Sequence, residues 1–444
     1  MDSHPSPIAP KQLLSVTDGI FLTVGMVIWV GIFKLPSMIA GNTSSVGEFL
    51  FAWLLGGAAS LCGALVYAEL ASRHPETGGE YTFLARGLGR GAAFLFAWSR
   101  MTVIQTGAIV AVAFAFGDYA SEILRLGGRS TAIWAAIAVV ALTALNVAGT
   151  MQSKSLQKVM EIALIGALVV IAVAALFAGG TPKPASGVAG PGFGLAMIFV
   201  LFAFGGWNEA AYLSGEVRDA RRNMRRILVV GIVAVTALYV LVNVAYVTAL
   251  GLDGMRNSKA VAADVMRLVA GEKGVVLLAL VICVSALTTM NAAVFTGART
   301  TWAFGRDFGA FAKLGTWRDA GSTPANALLL QGAVMLVLVL AGAFTPDGFS
   351  AMVAYTAPVF WTFFLLTGVT LFVFRARGGE EPAVKAPLHP LVTIAFLAMC
   401  LYMLYSSIDY IRNPVFGPKF GVMALAGLVV MAIGIPLYLL TRRK

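Results

Sequence analysis

Apolar residues run in long blocks along this chain, and polar residues fall in short gaps between them. Runs of about 18 or more mostly apolar residues, the length a helix needs to cross a bilayer, lie at 15–40, 47–71, 91–117, 131–149, 157–179, 194–215, 227–250, 274–298, 326–345, 350–374, 388–408 and 418–440. The pattern predicts an all-α polytopic membrane protein of twelve transmembrane helices, with both termini on one face. Two spans are interrupted. In span 6, Phe204-Gly205-Gly206-Trp207-Asn208 falls at mid-membrane, where each glycine disfavours a helix by about 1 kcal/mol relative to alanine. In span 1 the interruption runs from Gly25 to Phe33, with a second glycine at Gly31, and is closed by Pro36. Backbone released from helical bonding at bilayer depth persists only where it is buried in protein or lines a cavity. Matched breaks in two halves of a membrane chain therefore predict a central transport site.

If spans 1–5 and 6–10 are two copies of one unit, their odd length inserts them with opposite topology. The expected divisions are a tail at 1–14, a first unit at 15–180, an inverted second unit at 181–386, and two peripheral spans with the C-terminus at 387–444. The halves share no strong identity, and the matched breaks carry this expectation.

Composition agrees: 59% of the 444 residues are hydrophobic and 12% charged, against about 25% charged in soluble domains. A net charge of +11 would suit nucleic acid, but the basic residues sit in short loops between spans. Twenty-one Lys and Arg lie on the face shared with the termini and nine on the other, which predicts cytoplasmic termini in an inner membrane. The dense loop Arg218, Arg221, Arg222, Arg225 and Arg226 either contacts anionic lipid or only sets this orientation. Cys62, Cys283 and Cys400 lie within apolar runs and read as buried thiols rather than a disulfide framework. The polar N-terminus has no basic region ahead of a short apolar stretch, so no cleavable signal is expected. His4, His74 and His389 are isolated, so no metal site is expected, and Gly78-Gly79 lacks a following Walker motif, which disfavours ATP-driven transport. No cofactor and no nucleic-acid partner are expected.

Four segments carry a resemblance. They are Gly25 through Pro36; Tyr67-Ala68-Glu69-Leu70 with Gly78-Gly79-Glu80-Tyr81; Phe202-Ala203-Phe204 with Gly206-Trp207-Asn208, Glu216-Val217-Arg218 and Arg222-Asn223; and Asn291 and Phe295 with Arg299, Trp302-Ala303 and Arg306-Asp307. In this order and topology the chain resembles the amino acid–polyamine–organocation superfamily, most closely its L-amino-acid transporter-like bacterial permeases. The resemblance implies a LeuT-type 5+5 inverted repeat with helices 1 and 6 broken. It also implies sodium-independent secondary transport of amino acids by alternating access, as permease or antiporter. The substrate carboxylate would meet backbone N–H groups at Trp29, Val30, Gly31 and Ile32. Its ammonium would meet carbonyls released at both breaks, the second formed by Phe202, Ala203, Phe204, Gly205, Gly206, Trp207 and Asn208. The charge sense is sound, since a helix N-terminus offers free donors and partial positive charge and a C-terminus the reverse.

The chain departs from the family pattern twice. Where the family has Gly-Ser-Gly, this sequence has Trp29-Val30-Gly31. The indole either narrows or reshapes the pocket, or turns outward and packs on a neighbour. In span 5 the resemblance puts Leu164 where related permeases carry a lysine that substitutes for sodium. Lys158, about one and a half turns earlier, has Glu161 at i+3. They form either a relocated proton-coupling site or an ion pair at the inner end of the span.

Ionisable groups inside spans are functional candidates. Lys34, three residues past the span 1 break, and Glu209, just past the span 6 break, act as a gate or substrate contact, or face the outer vestibule and pair in the interior. Arg100 reads as snorkelling or paired near the inner end of span 3. Asn208 is expected to hold the loose carbonyls of its break, Asn291 to bond between helices, and Phe202 or Trp207 to gate the cavity. A polyamine or organic-amine permease of the same fold is the alternative, with Glu209 as its supporting feature. A transceptor is disfavoured by the short loops. The sequence leaves the substrate, proton coupling and oligomeric state open.

Overall fold

The computed structural model describes residues 15–74, 78–149, 154–177, 192–215, 217–318, 323–378, 382–412 and 418–441. The helices are α1 (Val16–Val27), α2 (Leu35–Gly41), α3 (Val46–Arg73), α4 (Gly79–Leu88), α5 (Arg90–Ser99), α6 (Gln105–Ile123), α7 (Ser130–Ala148) and α8 (Lys154–Phe177). They continue as α9 (Phe193–Ala203), α10 (Ala220–Asn257), α11 (Val261–Asp307), α12 (Ala325–Ala343), α13 (Gly348–Arg377), α14 (Leu391–Arg412) and α15 (Pro418–Thr441). Among the described residues the sole extended pairing is one bridge between Arg318 and Thr323. This is a polytopic all-α membrane protein.

Ten helices among the described residues are long and apolar enough to cross a membrane. The predicted spans 1 and 5 are represented by shorter apolar helices, Val16–Val27 and Ile162–Leu176. Span 1 is short because it is broken: α1 ends at Val27, a 3₁₀ turn covers Val30–Phe33, and α2 restarts with Pro36 in its first turn. Proline suits that place because its missing N–H would have no helical acceptor. The start of α1 is fixed by Ser15, which accepts from the Asp18 amide while Asp18 accepts from Ser15, a reciprocal capping box.

The helices of spans 7 and 8, α10 and α11, run past the predicted apolar stretches 227–250 and 274–298, and each turns at a glycine. Gly251 in α10 has φ +68 and Gly271 in α11 has φ +64, values an L side chain rarely adopts. These glycines set off the link between the two spans from their membrane parts.

The helices pack as two groups. α1, α3 and the segment after α9 gather on α10, whereas α6 packs against α7, α11 and α13. α5 and α6 form one span, joined by a π-helical stretch at Arg100–Ile104. The broken spans belong to the α10 group, and the turn at Val30–Phe33 also reaches α6 and α11.

Candidate functional site

The two breaks meet backbone to backbone. α1 ends where Ile28 and Trp29 turn extended (φ −81, ψ 105 and φ −134, ψ 175). α9 ends at Ala203 and the chain turns through Phe204–Gly206, with Gly206 at φ +107, into a 3₁₀ stretch at Trp207–Gly215. A Cβ on Gly206 would lie 2.3 Å from the Met26 carbonyl oxygen and 2.9 Å from its carbon. A glycine is therefore required there twice over, by its conformation and by the approach of span 1.

One hydroxyl serves both breaks. Tyr239, buried in α10, donates to the Val27 carbonyl at 2.8 Å and is 3.2 Å from the Ala203 carbonyl. These are the last residues of α1 and α9. Helix C-termini leave such carbonyls without helical donors, and Tyr239 supplies one. Asn208, expected to do this, does not: its amide donates to Glu80 Oε1 at 2.8 Å, a carboxylate that also accepts from the Tyr67 hydroxyl at 3.2 Å. Sequence reasoning missed Tyr239, although a phenol mid-way along the apolar span 7 was visible. Tyr239→Phe should lower stability by about 1–3 kcal/mol through the unsatisfied carbonyls. Thermal unfolding of the detergent-solubilised protein measures this, and an unchanged midpoint would mean that the carbonyls find other donors.

At the start of the 3₁₀ turn, Val30 and Gly31 carry N–H groups with no helical acceptor by position, and Trp29 makes no side-chain cap there. Above them lies an aromatic cage. The Trp29 ring is 5.3 Å from Phe202, edge on, and 6.1 Å from Phe349, stacked, with Phe202 and Phe349 6.2 Å apart. The indole does not turn outward. It lies across Gly31, where a Cβ would come within 2.5 Å of its Cζ2 atom. Trp207 sits elsewhere, edge on to Tyr67 at 5.0 Å and near Phe364 at 5.5 Å. Of the two aromatic gates considered, Phe202 adjoins the Trp29 cage and Trp207 belongs to the core on the other side.

A cavity of about 570 Å³ opens on the α2 side of the breaks. Leu195, Ile198 and Phe199 of α9 line it, and Phe202 lies one turn deeper. On its wall Lys34 pairs with Asp118 of α6 and, at 2.9 Å, with Asp347, the N-cap of α13. The Lys34 ammonium also lies 5.3 Å from the Phe349 ring centroid. Asp118 is held further by the Thr131 hydroxyl at 2.9 Å and Asp347 by Ser350.

Lys34 and Glu209 are not partners. Glu209 faces Arg100, whose Nη2 donates to both carboxylate oxygens at 3.0 and 3.1 Å. Lys34 and Glu209 each lie past their own break, as the sequence indicates, and each is held by its own counter-charge, Lys34 by Asp118 and Asp347 and Glu209 by Arg100. Asn291 bonds between helices as expected, accepting from Asn146 Nδ2 at 2.6 Å. Leu164 is buried in α8. The side chains of Lys158 and Glu161 lie outside the described residues. Among those residues no group of three His, Cys, Asp or Glu could hold a metal ion.

A family model described as "Amino acid permease" matches residues 14–433. The chain is 28% identical over 406 residues to the b(0,+)-type amino acid transporter 1 of Rattus norvegicus, covering 88% of this chain and 82% of that protein. It is 27% identical over 415 residues to the serine/threonine exchanger SteT of Bacillus subtilis (strain 168), covering 91% and 93%. It is 26% identical over 455 residues to the Asc-type amino acid transporter 1 of Mus musculus, covering 98% and 82%.

Proposed function

The chain belongs to the amino acid permease family, and from that membership we propose that it is a secondary transporter that carries small neutral amino acids by alternating access. Amino acid transport is the family's activity, and the chain is no enzyme. The finer reading has spans 1–5 and 6–10 as inverted repeats, with α14 and α15 peripheral and both termini in the cytoplasm. The observation that carries it is the meeting of two broken spans at Gly206 and Met26, beneath a cavity. In this reading Val30 and Gly31 offer amides to a carboxylate, and the last-turn carbonyls of α1 and α9 that Tyr239 does not take meet the ammonium. No ionised side chain is needed at the centre, which suits a site that must also move empty or exchange one zwitterion for another.

Small substrates are favoured because Trp29 covers Gly31. The relative described as a serine/threonine exchanger agrees with this size. The polyamine alternative loses its supporting feature, because Glu209 already holds Arg100. Uptake of labelled amino acids and polyamines into proteoliposomes, with and without a pH gradient, tests the reading. Serine-sized substrates should accumulate or exchange and polyamines should not; polyamine uptake alone would overturn it.

Transport should not require sodium. The resemblance is to sodium-independent carriers; Thr288 and Thr289 in span 8 carry the hydroxyls that could ligate sodium, and that of Thr288 donates to the Val284 carbonyl of its own helix at 2.9 Å. Replacing sodium with choline at fixed pH should leave the uptake rate unchanged, and a steep sodium dependence would count against this.

A further inference from the structure

We infer that Arg100 is the positioning residue that closes the cytoplasmic exit, as one of two opposed ion-pair latches carried by span 3. The inference rests on the alternating-access reading above and names the groups that hold each side shut.

The two latches are placed alike. Lys34 is the third residue after Gly31 in the span 1 break, and Glu209 is the third after Gly206 in the span 6 break. Their charges are opposite, and so are the faces they approach, because span 1 and span 6 cross in opposite directions. Both find their partners on the same span: Lys34 on Asp118 and Glu209 on Arg100. Eighteen positions separate Arg100 from Asp118, about 27 Å of helix at 1.5 Å per residue. One latch therefore lies on each side of the breaks. Span 3 packs with α7, α11 and α13, while α2, which Lys34 caps, packs with α10 and α9, and the segment after α9 packs with α10 and α3. Each ion pair thus ties the half-span past one break to the other packing group.

The local structure of Arg100 supports a held position. It opens the π-helical stretch Arg100–Ile104, a distortion that shifts side chains off the regular helical register and recurs at functional sites. The stretch is secured from α13, where the Tyr355 hydroxyl donates to the Thr102 carbonyl at 3.0 Å. The Arg100 side chain is 7% exposed and that of Glu209 37%. The pair therefore stands at a water boundary, with the carboxylate on the wetter side. Separation can rehydrate Glu209 as the exit opens, whereas a deeply buried pair would lose its attraction with little return from solvent. Substitution of either partner shifts the balance toward the cytoplasm-open form, because it weakens only the closed one.

The test reads access, not transport, so it stands apart from the identity of the substrate. Thr106 lies in α6 between the two latches and is buried. In a background with Cys62→Ala, Cys283→Ala and Cys400→Ala, Thr106→Cys is labelled with a membrane-impermeant thiol reagent in right-side-out and inside-out vesicles. Arg100→Gln should raise labelling from the cytoplasmic face by at least about fivefold, the low end for coupled sites, and lower it from the outer face. Glu209→Gln, which alters a side chain over a third exposed, should do the same and serves if Arg100→Gln does not fold. The exchange Arg100→Glu with Glu209→Arg should return labelling toward the starting level. Asp118→Asn should act in the opposite sense, from the outer face. Unchanged labelling in the single variants, or an equal rise from both faces, overturns the inference. Absence of amino acid uptake by the protein without these substitutions, with the labelling pattern as expected, would count against the amino acid reading and leave the latch standing.

Discussion

Gly206→Ala is expected to abolish transport while Gly205→Ala reduces it modestly. The two glycines are adjacent and equally unfavourable in a helix, so a propensity argument treats them alike. Their surroundings differ. Gly206 has φ +107, and an added Cβ would sit 2.3 Å from the Met26 carbonyl oxygen and 3.5 Å from the Val27 Cα, which are backbone atoms with little room to move. A side chain at such a φ costs about 1–3 kcal/mol by itself, and the overlap pushes span 1 away from span 6. Since about 1.4 kcal/mol is tenfold in a rate, uptake should fall by more than about tenfold. Gly205 has no positive φ, and the nearest atom its Cβ would meet is the Phe202 carbonyl oxygen of its own turn at 3.0 Å, with the Leu201 carbonyl at 4.0 Å. Uptake by the two variants, at equal amounts of folded protein in the membrane, gives the comparison. Equal losses would mean that the contact between the breaks is not what the double glycine preserves.

Much of this was legible because membrane burial simplifies the code. The apolar runs marked the spans, and glycine, proline and an indole marked where span 1 stops, since no other partner for loose backbone exists at bilayer depth. Gly251 and Gly271 likewise fall where the predicted spans 7 and 8 leave the membrane. What stayed hidden depended on which helices touch. Tyr239 lies more than thirty residues from either carbonyl it serves, and Asp347 sits in a loop over three hundred residues from Lys34. Spacing along one helix cannot show such pairs. Lys34 and Glu209 were recognised as charged groups past the breaks, but their partners on span 3 were not, because the sequence gives no register between spans 1, 3 and 6. Its place beside the break suggests that Asn208 holds the loose carbonyls there, whereas the chain turns after Gly206 so that its amide reaches Glu80 of α4.

The remaining expectation concerns Trp29, the residue that most separates this chain from the glycine-rich pattern it resembles. The residue is 8% exposed, and its ring is clasped by Phe202 and Phe349 and laid over Gly31. Packed interiors do not yield space without disturbing neighbours, so a substrate carboxylate bound, as proposed, at the Val30 and Gly31 amides would meet a wall set by the indole. Trp29→Ala removes that wall. It should admit larger side chains, up to aromatic ones, or blunt the preference among small ones, and Trp29→Phe should fall between. Truncating a buried tryptophan also costs about 3–5 kcal/mol in packing, so the variant should be less heat-stable. That loss is separable from specificity because it affects all substrates alike. Competition of unlabelled glycine, serine, leucine and phenylalanine against labelled serine, in all three proteins, reads the ranking directly. Should the order stay the same in a folded, active Trp29→Ala protein, the indole is a prop for Phe202 and Phe349 rather than a wall of the pocket. The size limit would then have to come from those two rings, which Phe349→Ala would expose by the same competition.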